Sequence, residues 1–496
     1  MADDYRRPPQ RTPARIQWSE GRPEAPPEGT QPARTRAATV PASVQAAQAR
    51  AVAAVSMRGK SPQVVAKAAP APKPKPKKKE EVAFFPLEAR SIQEVGVDSG
   101  PLLDLVLRTM LGAGGVTGRT LAEATGLPLG IVRDLMDSAK NLKLVNYRST
   151  TALGDYVTEL TEAGIAKAMQ SRKFTSYVGT APVPYEFYLQ ALKIQALADK
   201  NPGAEDLQKA FRDLYVSEEM LERLGPAVSS GQAMFLFGEP GNGKTSLAER
   251  MTLCFGDTVW IPETLDIGGH LVKLFDPAIH ELVDVDPKLH HGRYDRRWVR
   301  IKRPTVIAGG ELTLDQLEIK VDEESRICEA SLQMKANMGT FVIDDFGRGN
   351  TSPRDLLNRW IFPLEKRTDF QTLPDGRKIQ CPFDCLLVFS TNLEPRDLAD
   401  EAFLRRIPYK IYVGDPLEHE FEMLVKVVAK KMGIKVEDRT IRYVIDKHYK
   451  QAKRPMRMCH PRDLLQQIQH LCEYERRTSH GGPKEWDRVV DNYFGY

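Results

Sequence analysis

The spacing of apolar residues predicts helices in the first patterned part of the chain and two short strands after them. The positions that follow Gly100 have the three- and four-residue spacing of an amphipathic helix: Leu102, Leu103, Val106, Leu107 and Met110. Residues 120–125 and 129–143 predict two further helices, separated by a Gly-Leu-Pro turn. The runs 144–148 and 156–161 then predict two strands joined by a polar loop.

A different pattern begins at Ala233–Phe237, the first strongly apolar strand. From there to Val413 the patterns of strands and helices alternate, which predicts a parallel α/β sheet flanked by helices. Beyond Pro416 the pattern is helical only, over 417–431, 439–449 and 461–475. We therefore expect an α/β core followed by a C-terminal helical domain.

Two helices, a turn, a third helix and a two-stranded ribbon, in that order, resemble a winged-helix domain. The predicted recognition helix carries Arg133, Lys140 and Lys143 against Asp134 and Asp137. This is a weak positive balance for a helix that must lie among phosphates. The balance favours a domain that docks protein over one that reads DNA, and both interpretations stay open.

The N-terminal tail differs in composition from the rest of the chain. Residues 1–84 contain 16 basic and seven acidic residues, a net charge of +9, so the remaining 412 residues sum to −4. The same segment contains 13 of the 35 prolines and almost no aromatic residues. Such a segment buries too little apolar surface to offset the entropy of ordering, so residues 1–83 are predicted to be disordered. A linker is the favoured role; a basic arm for nucleic acid or acidic partners is the alternative.

Composition excludes several classes of protein. The basic excess is confined to the tail, which argues against a nucleic-acid coat protein. No run reaches the ~18 apolar residues of a membrane span, and the N-terminus, MADDYRRPPQ, has no apolar signal region, so we expect a cytoplasmic protein. Six scattered cysteines do not form a disulfide framework. Cys381 and Cys385 are predicted to be a buried structural pair rather than a metal or redox pair.

The segment GEPGNGKTS carries the strongest chemical signal. It follows the strand AMFLF, opens a helix, and fits the phosphate-binding pattern G-x-x-x-x-G-K-[ST]. Glycines let backbone amides close around phosphate oxygens, the lysine reaches the β- and γ-phosphates, and the threonine ligates Mg²⁺. The predicted ATP-binding residues are Gly238, Glu239, Pro240, Gly241, Asn242, Gly243, Lys244, Thr245 and Ser246.

Polar side chains follow two further apolar strands. Asp344 and Asp345 come directly after the strand TFVI, and Asn392 follows the strand LLVFST. The carboxyl ends of parallel strands line the ligand crevice of such a sheet, so we expect all three side chains near the P-loop. Asp344 is predicted to hold Mg²⁺ through water together with Thr245, Asp345 to face the attacking water, and Asn392 to orient that water.

From about Leu207 to the C-terminus the chain resembles the AAA+ ATPases, because five motifs occur in order at suitable spacings. These are Walker A (Gly238–Thr245), Walker B (Val342–Asp345), sensor 1 (Asn392), an arginine-finger segment (Arg405 and Arg406, with Arg406 favoured) and a sensor 2 segment (HPRDLLQQI, with Arg462). The resemblance implies ATP and Mg²⁺ as cofactors, a helical lid, and ATP sites at the subunit interfaces of a homo-oligomeric ring, usually a hexamer. Most members carry Glu where this chain has Asp345.

Two additional segments indicate a smaller group within this superfamily. An oversized segment, 256–338, separates the P-loop helix from Walker B, and DFQTLPDGRKIQC before sensor 1 predicts a hairpin about its Pro-Asp-Gly turn. Together they resemble the MoxR and chelatase-related helix-2-insert group, including bacterial proteins described as ATPases with chaperone activity.

These patterns predict five regions: a tail (1–83), a winged-helix-like domain (84–175), a linker with a helix (176–206), an AAA+ core (207–415) and a helical lid (416–496). The favoured function is an Mg²⁺-dependent ATPase that remodels or assembles a protein partner. The alternative is a nucleic-acid-associated ATPase or transcription regulator that uses the winged helix and basic tail.

Overall fold

The computed structural model describes residues 84–151, 154–286 and 293–495. The prediction for the tail, residues 1–83, lies outside these ranges. Within the described ranges no helix is both long enough and apolar enough to cross a bilayer.

The first described part combines five helices with a small antiparallel sheet. In chain order its elements are α1 (Ile92–Val95), α2 (Ser99–Met110), β1 (Val116–Thr117), α3 (Gly118–Thr125), α4 (Leu129–Asn141), β2 (Val145–Thr150), β3 (Tyr156–Leu160) and α5 (Glu162–Arg172). The strand order is β1–β3–β2, and the apolar faces of α2, α3 and α4 share one core. The helices and strands predicted for 100–161 are thus confirmed, whereas membership of the winged-helix class stays a prediction.

Residues 176–206, predicted to be a linker with a helix, are packed into the rest of the protein. They form β4 (Val183–Pro184) and α6 (Tyr185–Gln195), and β4 pairs in parallel with a later strand. Tyr177 is buried, and its hydroxyl lies 2.9 Å from Thr264 Oγ1. Arg297, 2% exposed and paired with Asp295, donates to the carbonyl oxygens of Val95 and Pro182. This segment therefore joins the first part to the core through buried polar contacts.

The core is a five-stranded parallel sheet with the order β10–β13–β16–β5–β17. Its strands are β5 (Met234–Phe237), β10 (Thr305–Ala308), β13 (Gly339–Ile343), β16 (Cys385–Thr391) and β17 (Tyr409–Tyr412). The helices around it are α7 (Ala204–Ala210), α8 (Glu218–Ser230), α9 (Lys244–Met251), α11 (Pro353–Lys366), α12 (Pro395–Leu398) and α13 (Glu401–Leu404). The predicted α/β class with a parallel sheet is confirmed, since three central strands are nearly all buried and apolar.

The oversized segment before β13 divides between the core and a second sheet. Part of the run RWVRIKRPTVIA becomes β10, the edge strand that pairs with β13. The remaining elements are β6 (Thr258–Pro262), β7 (Thr264–Ile267), β8 (His270–Lys273), β9 (Trp298–Lys302), β11 (Lys320–Val321), β12 (Cys328–Glu329) and α10 (Leu332–Lys335). Four of these strands join β4 of the preceding segment in a second sheet with the order β11–β12–β8–β7–β4, and the other two form the pair β6–β9.

The predicted hairpin before sensor 1 is present as β14 (Thr368–Thr372) and β15 (Lys378–Pro382). Its turn lies against the β7–β8 turn, where Arg377 donates to the Gly268 carbonyl oxygen over 2.8 Å and Asp375 pairs with His270. Cys381 and Cys385 beside it are buried and form no disulfide, and burial raises the pKa of Cys381 to about 12. Both observations fit the structural role predicted for this pair.

The C-terminal part is helical, as the pattern beyond Pro416 predicts. It contains α14 (Glu418–Met432), α15 (Asp438–Val444), a π-helical turn (Ile445–Gln451), α16 (His460–Tyr474) and α17 (Pro483–Phe494). These helices share their own apolar core, centred on Phe421, Leu464 and Trp486.

Candidate functional site

The P-loop connects β5 to α9 in a conformation that requires glycine. Gly238, Gly241 and Gly243 have φ angles of +136°, +84° and +81°, which side chains rarely adopt. A Cβ on Gly238 would lie 2.4 Å from the carbonyl oxygen of Val413. Residues Gly238–Gly243 form the loop, and Lys244, Thr245 and Ser246 form the first turn of α9. The predicted Walker A residues therefore make one continuous loop at the N-terminus of a helix.

Lys244 is buried at the centre of this loop. It is 7% exposed, and its Nζ donates to the carbonyl oxygens of Gly238 (2.9 Å) and Glu239 (3.1 Å) and to Asn392 Oδ1 (2.5 Å). All three donors of the ammonium group are thus used. Burial lowers the pKa of Lys244, and the nearby Asp344 carboxylate opposes that shift. The ammonium group is positioned among acceptors that phosphate oxygens can replace.

Thr245 and Asp344 supply oxygen ligands beside the P-loop. Thr245 Oγ1 donates to Asp344 Oδ2 over 2.8 Å, which joins the start of α9 to the end of β13. A hydroxyl and a carboxylate are the ligand types that Mg²⁺ prefers alongside substrate phosphates. These two residues therefore fit Mg²⁺ that is shared with a nucleotide.

Asp345 occupies a strained turn after β13. Its φ of +49° is unusual for a residue other than glycine, and its backbone N–H donates to Asp344 Oδ1 over 3.1 Å. The residue is exposed, so its carboxylate is accessible to water. Phe346 N–H donates to the Ser390 carbonyl oxygen (2.9 Å), and Thr391 Oγ1 donates to the Phe346 carbonyl oxygen (2.7 Å). These bonds fix the Asp345 turn relative to the end of β16, which carries Asn392.

The predicted finger residues lie away from the P-loop. Arg406 Nε donates to Glu365 Oε1 of α11 over 2.6 Å, and its Nη1 donates to the Ala402 carbonyl oxygen over 2.7 Å. Arg405 is exposed at the end of α13. In the described part of the chain, neither residue has a hydrogen bond or ion pair with residues 238–246.

The structure does not bring Arg462 to the P-loop. Its side chain is 71% exposed, and its Nε donates to the neighbouring Asp463. Arg457, which precedes the sensor 2 segment, lies there instead, 16% exposed. It pairs with Asp415 and, over 3.3 Å, with Glu239 of the P-loop. The sequence offered only a weak signal for Arg457, an arginine in a loop between two helical patterns.

Other lid residues around Arg457 also bind the P-loop. The backbone N–H of Cys459 donates to the Gly241 carbonyl oxygen over 2.9 Å, and that of Met458 donates to Asn242 Oδ1 over 3.2 Å. The Asn242 amide in turn donates to Asp415 Oδ1 over 2.8 Å. The segment Arg457–Cys459 therefore fastens the helical part to the tip of the phosphate-binding loop.

Comparison with known proteins gives one family and several solved structures. Residues 417–492 match a family described as a domain of unknown function, DUF8689. No curated protein has significant sequence similarity to the chain. NtrX from Brucella abortus in complex with ATP is 12% identical; the match covers 56% of this chain and 59% of NtrX, with a TM-score of 0.34. RuvB from Thermotoga maritima, a Holliday junction branch migration motor, is 14% identical; the match covers 60% of this chain and 72% of RuvB, with a TM-score of 0.31.

The chain therefore spans about three fifths of the length of NtrX. The parallel sheet flanked by helices, with a P-loop after β5, agrees with the fold predicted from the resemblance to AAA+ ATPases.

Proposed function

We propose that the chain is an AAA+ ATPase that binds ATP with Mg²⁺ and hydrolyses it. The observation that carries this proposal is the position of Lys244, whose Nζ is held by two P-loop carbonyl oxygens and by Asn392. The P-loop and the residue after β16 thus meet at one ammonium group, and Thr245 joins the end of β13 to the same loop through Asp344. No structural role needs this combination of a glycine-rich loop, a buried lysine and a Thr–Asp pair.

Each residue has a distinct chemical task in this proposal. Lys244 exchanges its three oxygen partners for phosphate oxygens, which releases Asn392 to orient water. Thr245 and, through water, Asp344 would hold Mg²⁺, which neutralises charge on the phosphates. The accessible Asp345 carboxylate accepts a proton from the attacking water. Arg457 adds a cation from the lid side, in the role that the sequence assigned to Arg462.

We further propose that the active form is a homo-oligomeric ring, with a hexamer as the expected size. The support is that Arg406, the predicted finger, lies just after α13 and is paired with Glu365 of α11 rather than with its own P-loop. A finger held in that position suits the nucleotide of another copy better than that of its own chain. The hairpin β14–β15 supports placement in the MoxR and helix-2-insert group.

A protein partner is the proposed target of the ATPase. The exposed residues of α4 have balanced charge, Leu142 is exposed directly after this helix, and Ile165, Met169 and Phe174 are exposed on or directly after α5. Arg148, the cation on β2, is already paired with Glu159. Exposed apolar groups beside a helix of balanced charge suit protein docking better than phosphate contacts.

One observation favours nucleic acid as a second candidate. Tyr147 and Tyr156 stack with their ring centres 4.6 Å apart, and Lys140 lies over the Tyr147 ring at 4.1 Å. Aromatic rings beside a cation are a platform on which bases stack. The two candidates differ in whether DNA binds this face.

The experiment that tests the proposal measures Mg²⁺-dependent phosphate release by the purified chain, with and without duplex and single-stranded DNA. We expect turnover in Mg²⁺, none in excess chelator, and no stimulation by DNA. Stimulation that disappears in Lys140→Ala or Tyr156→Ala would support the nucleic-acid candidate instead. Absence of ATP binding would contradict the ATPase proposal altogether.

A further inference from the structure

Ser390 carries a buried hydroxyl that has no hydrogen-bond partner in the described part of the chain. The residue is 1% exposed and lies near the end of β16, two residues before Asn392. Arg303 and Gln371 also contain a buried atom without a partner, but both bond through their other polar atoms. The side chain of Ser390 has no second polar atom. Because buried polar groups are almost always paired, this exception requires an explanation.

The alternation of side chains along the strands places Ser390 on the face of the sheet that α9 covers. Val388 of β16 and Val342 of β13 both pack in the apolar cluster that contains residues of α9. Side chains two residues apart on a strand share a face, so Ser390 and Asp344 follow these valines on the same side. The bond from Thr245 Oγ1 to Asp344 agrees with this placement, because Thr245 belongs to α9. The hydroxyl therefore lies on the P-loop side of the sheet.

The register between β13 and β16 brings Ser390 next to Asp344. Ile343 is paired with Phe389, so Asp344 and Ser390 are the next residues along the two strands. The backbone of Ser390 already holds the turn that follows Asp344, since its carbonyl oxygen accepts the Phe346 N–H over 2.9 Å. A hydroxyl without a partner and a carboxylate thus occupy adjacent positions on two paired strands.

The Asp344 carboxylate has room for a further donor. It accepts from Thr245 Oγ1 over 2.8 Å and from the Asp345 N–H over 3.1 Å, whereas an ionised carboxylate has about four acceptor sites. Asp345 has a φ of +49°, so the turn that carries both aspartates is held in a strained conformation. Hydrogen bonds in such sites often tighten only when the ligand binds. A small adjustment of this turn is therefore enough to pair the hydroxyl with the carboxylate.

We propose that Ser390 is a positioning residue for the metal site, whose hydroxyl donates to the Asp344 carboxylate when nucleotide and Mg²⁺ are bound. The inference rests on the proposed ATPase function and deepens it by naming a residue that orients Asp344. A hydrogen bond from outside the ligand set fixes the orientation of a carboxylate and favours its ionised form. Loss of such a partner typically lowers metal affinity roughly 10–100-fold.

The first test compares Ser390→Ala with Ser331→Ala, a matched deletion of a buried hydroxyl. Ser331 is also 1% exposed, but its hydroxyl caps α10 by accepting the Met334 N–H over 3.4 Å. Electron paramagnetic resonance measures the binding of Mn²⁺, which shares the preference of Mg²⁺ for oxygen ligands, in the presence of a non-hydrolysable ATP analogue. We expect Ser390→Ala to weaken Mn²⁺ binding about tenfold and Ser331→Ala to leave it within about twofold of wild type.

Urea unfolding without nucleotide or metal separates positioning from packing. Removal of an unpaired buried hydroxyl relieves a desolvation penalty, so Ser390→Ala should be at least as stable as wild type. Ser331→Ala should be less stable, because a helix cap is lost. Unchanged Mn²⁺ affinity in Ser390→Ala, or a clear loss of its stability, would overturn the inference alone. If the wild-type chain binds neither the ATP analogue nor Mn²⁺, the proposed function fails as well, so the two failures are distinguishable.

Discussion

Replacing Arg457 by Ala tests how the helical lid contributes to nucleotide binding. Arg457 approaches the P-loop closely enough to pair with Glu239 at 3.3 Å, whereas Arg462 extends into solvent. The guanidinium of Arg457 already pairs with Asp415 and Glu239, so it must exchange these carboxylates for phosphate oxygens when ATP binds. The net effect on ATP affinity is therefore smaller than the full strength of an arginine–phosphate contact.

The expected magnitude follows from this exchange. Hydrogen bonds to charged groups contribute about 1.5–3 kcal/mol, and roughly 1.4 kcal/mol changes Kd tenfold. The loss of Asp415 and Glu239 as partners offsets part of that gain. Once Arg457 is absent, however, both carboxylates lose their cation beside the phosphates and repel them, although Asp415 keeps its hydrogen bond from Asn242. We expect Arg457→Ala to weaken ATP binding about tenfold, and Arg462→Ala to change it less than twofold.

Equilibrium titration with a fluorescent ATP analogue measures this difference, with thermal unfolding of each variant as the check on folding. Arg457→Lys should fall between wild type and Ala, because it keeps the charge without the planar fork. A tenfold loss in Arg462→Ala with normal binding by Arg457→Ala would refute the reasoning and restore Arg462 to the role that the sequence suggested.

Three further predictions concern chemistry, assembly and pH. Asp345→Asn should bind ATP normally but hydrolyse it slowly, as seen in single-turnover phosphate release; hydrolysis at the wild-type rate would move the base elsewhere. Arg406→Ala should bind ATP but lose turnover by about 10³-fold if Arg406 acts as a finger. Mixing it with Lys244→Ala subunits should restore part of the turnover. Full activity of a strictly monomeric protein would contradict this prediction. Burial lowers the pKa of His460 to about 4. As the pH falls, His460 is therefore protonated at a lower pH in the folded state than in the unfolded chain. The free energy of unfolding should therefore fall by about 2 kcal/mol, after solvent screening, as the pH drops from about 6.5 toward 4. In urea unfolding, the free energy of unfolding of His460→Gln should depend less steeply on pH than that of wild type. An equal slope in the two proteins would reject His460 as the cause.

The sequence was sufficient to predict the positions of residues that follow from a local motif or from the ends of adjacent strands. The P-loop could be predicted because its glycines, lysine and threonine are contiguous and are preceded by a strand. Asp344 and Asn392 could be predicted because parallel strands bring their carboxyl ends to one edge of the sheet. In the structure, Lys244 contacts Asn392 and Thr245 contacts Asp344.

Residues that depend on packing between distant elements could not be predicted. Arg457 reaches the P-loop only because the lid docks through Cys459 and Gly241, a contact 218 residues apart in sequence that no local pattern encodes. Arg354 and Arg359 both follow Walker B and lie on the same helix, α11, yet only Arg359 pairs with carboxylates, those of Asp369 in β14 and of Glu318 before β11. The place of β10 in the core sheet likewise could not be predicted from its own sequence, which does not set it apart from β9. It follows from the pairing of β10 with β13.

The central claim is that Lys244, Thr245 and Asp344 form the ATP site of an active ATPase. The most direct measurement compares ATP affinity and Mg²⁺-dependent phosphate release of the wild-type chain with those of Lys244→Ala, with Lys366→Ala as the control for loss of a lysine. We expect turnover in wild type and control, and at least about 100-fold weaker ATP binding with no turnover in Lys244→Ala, because the buried ammonium group is lost. Equal ATP affinity in wild type and Lys244→Ala would contradict it.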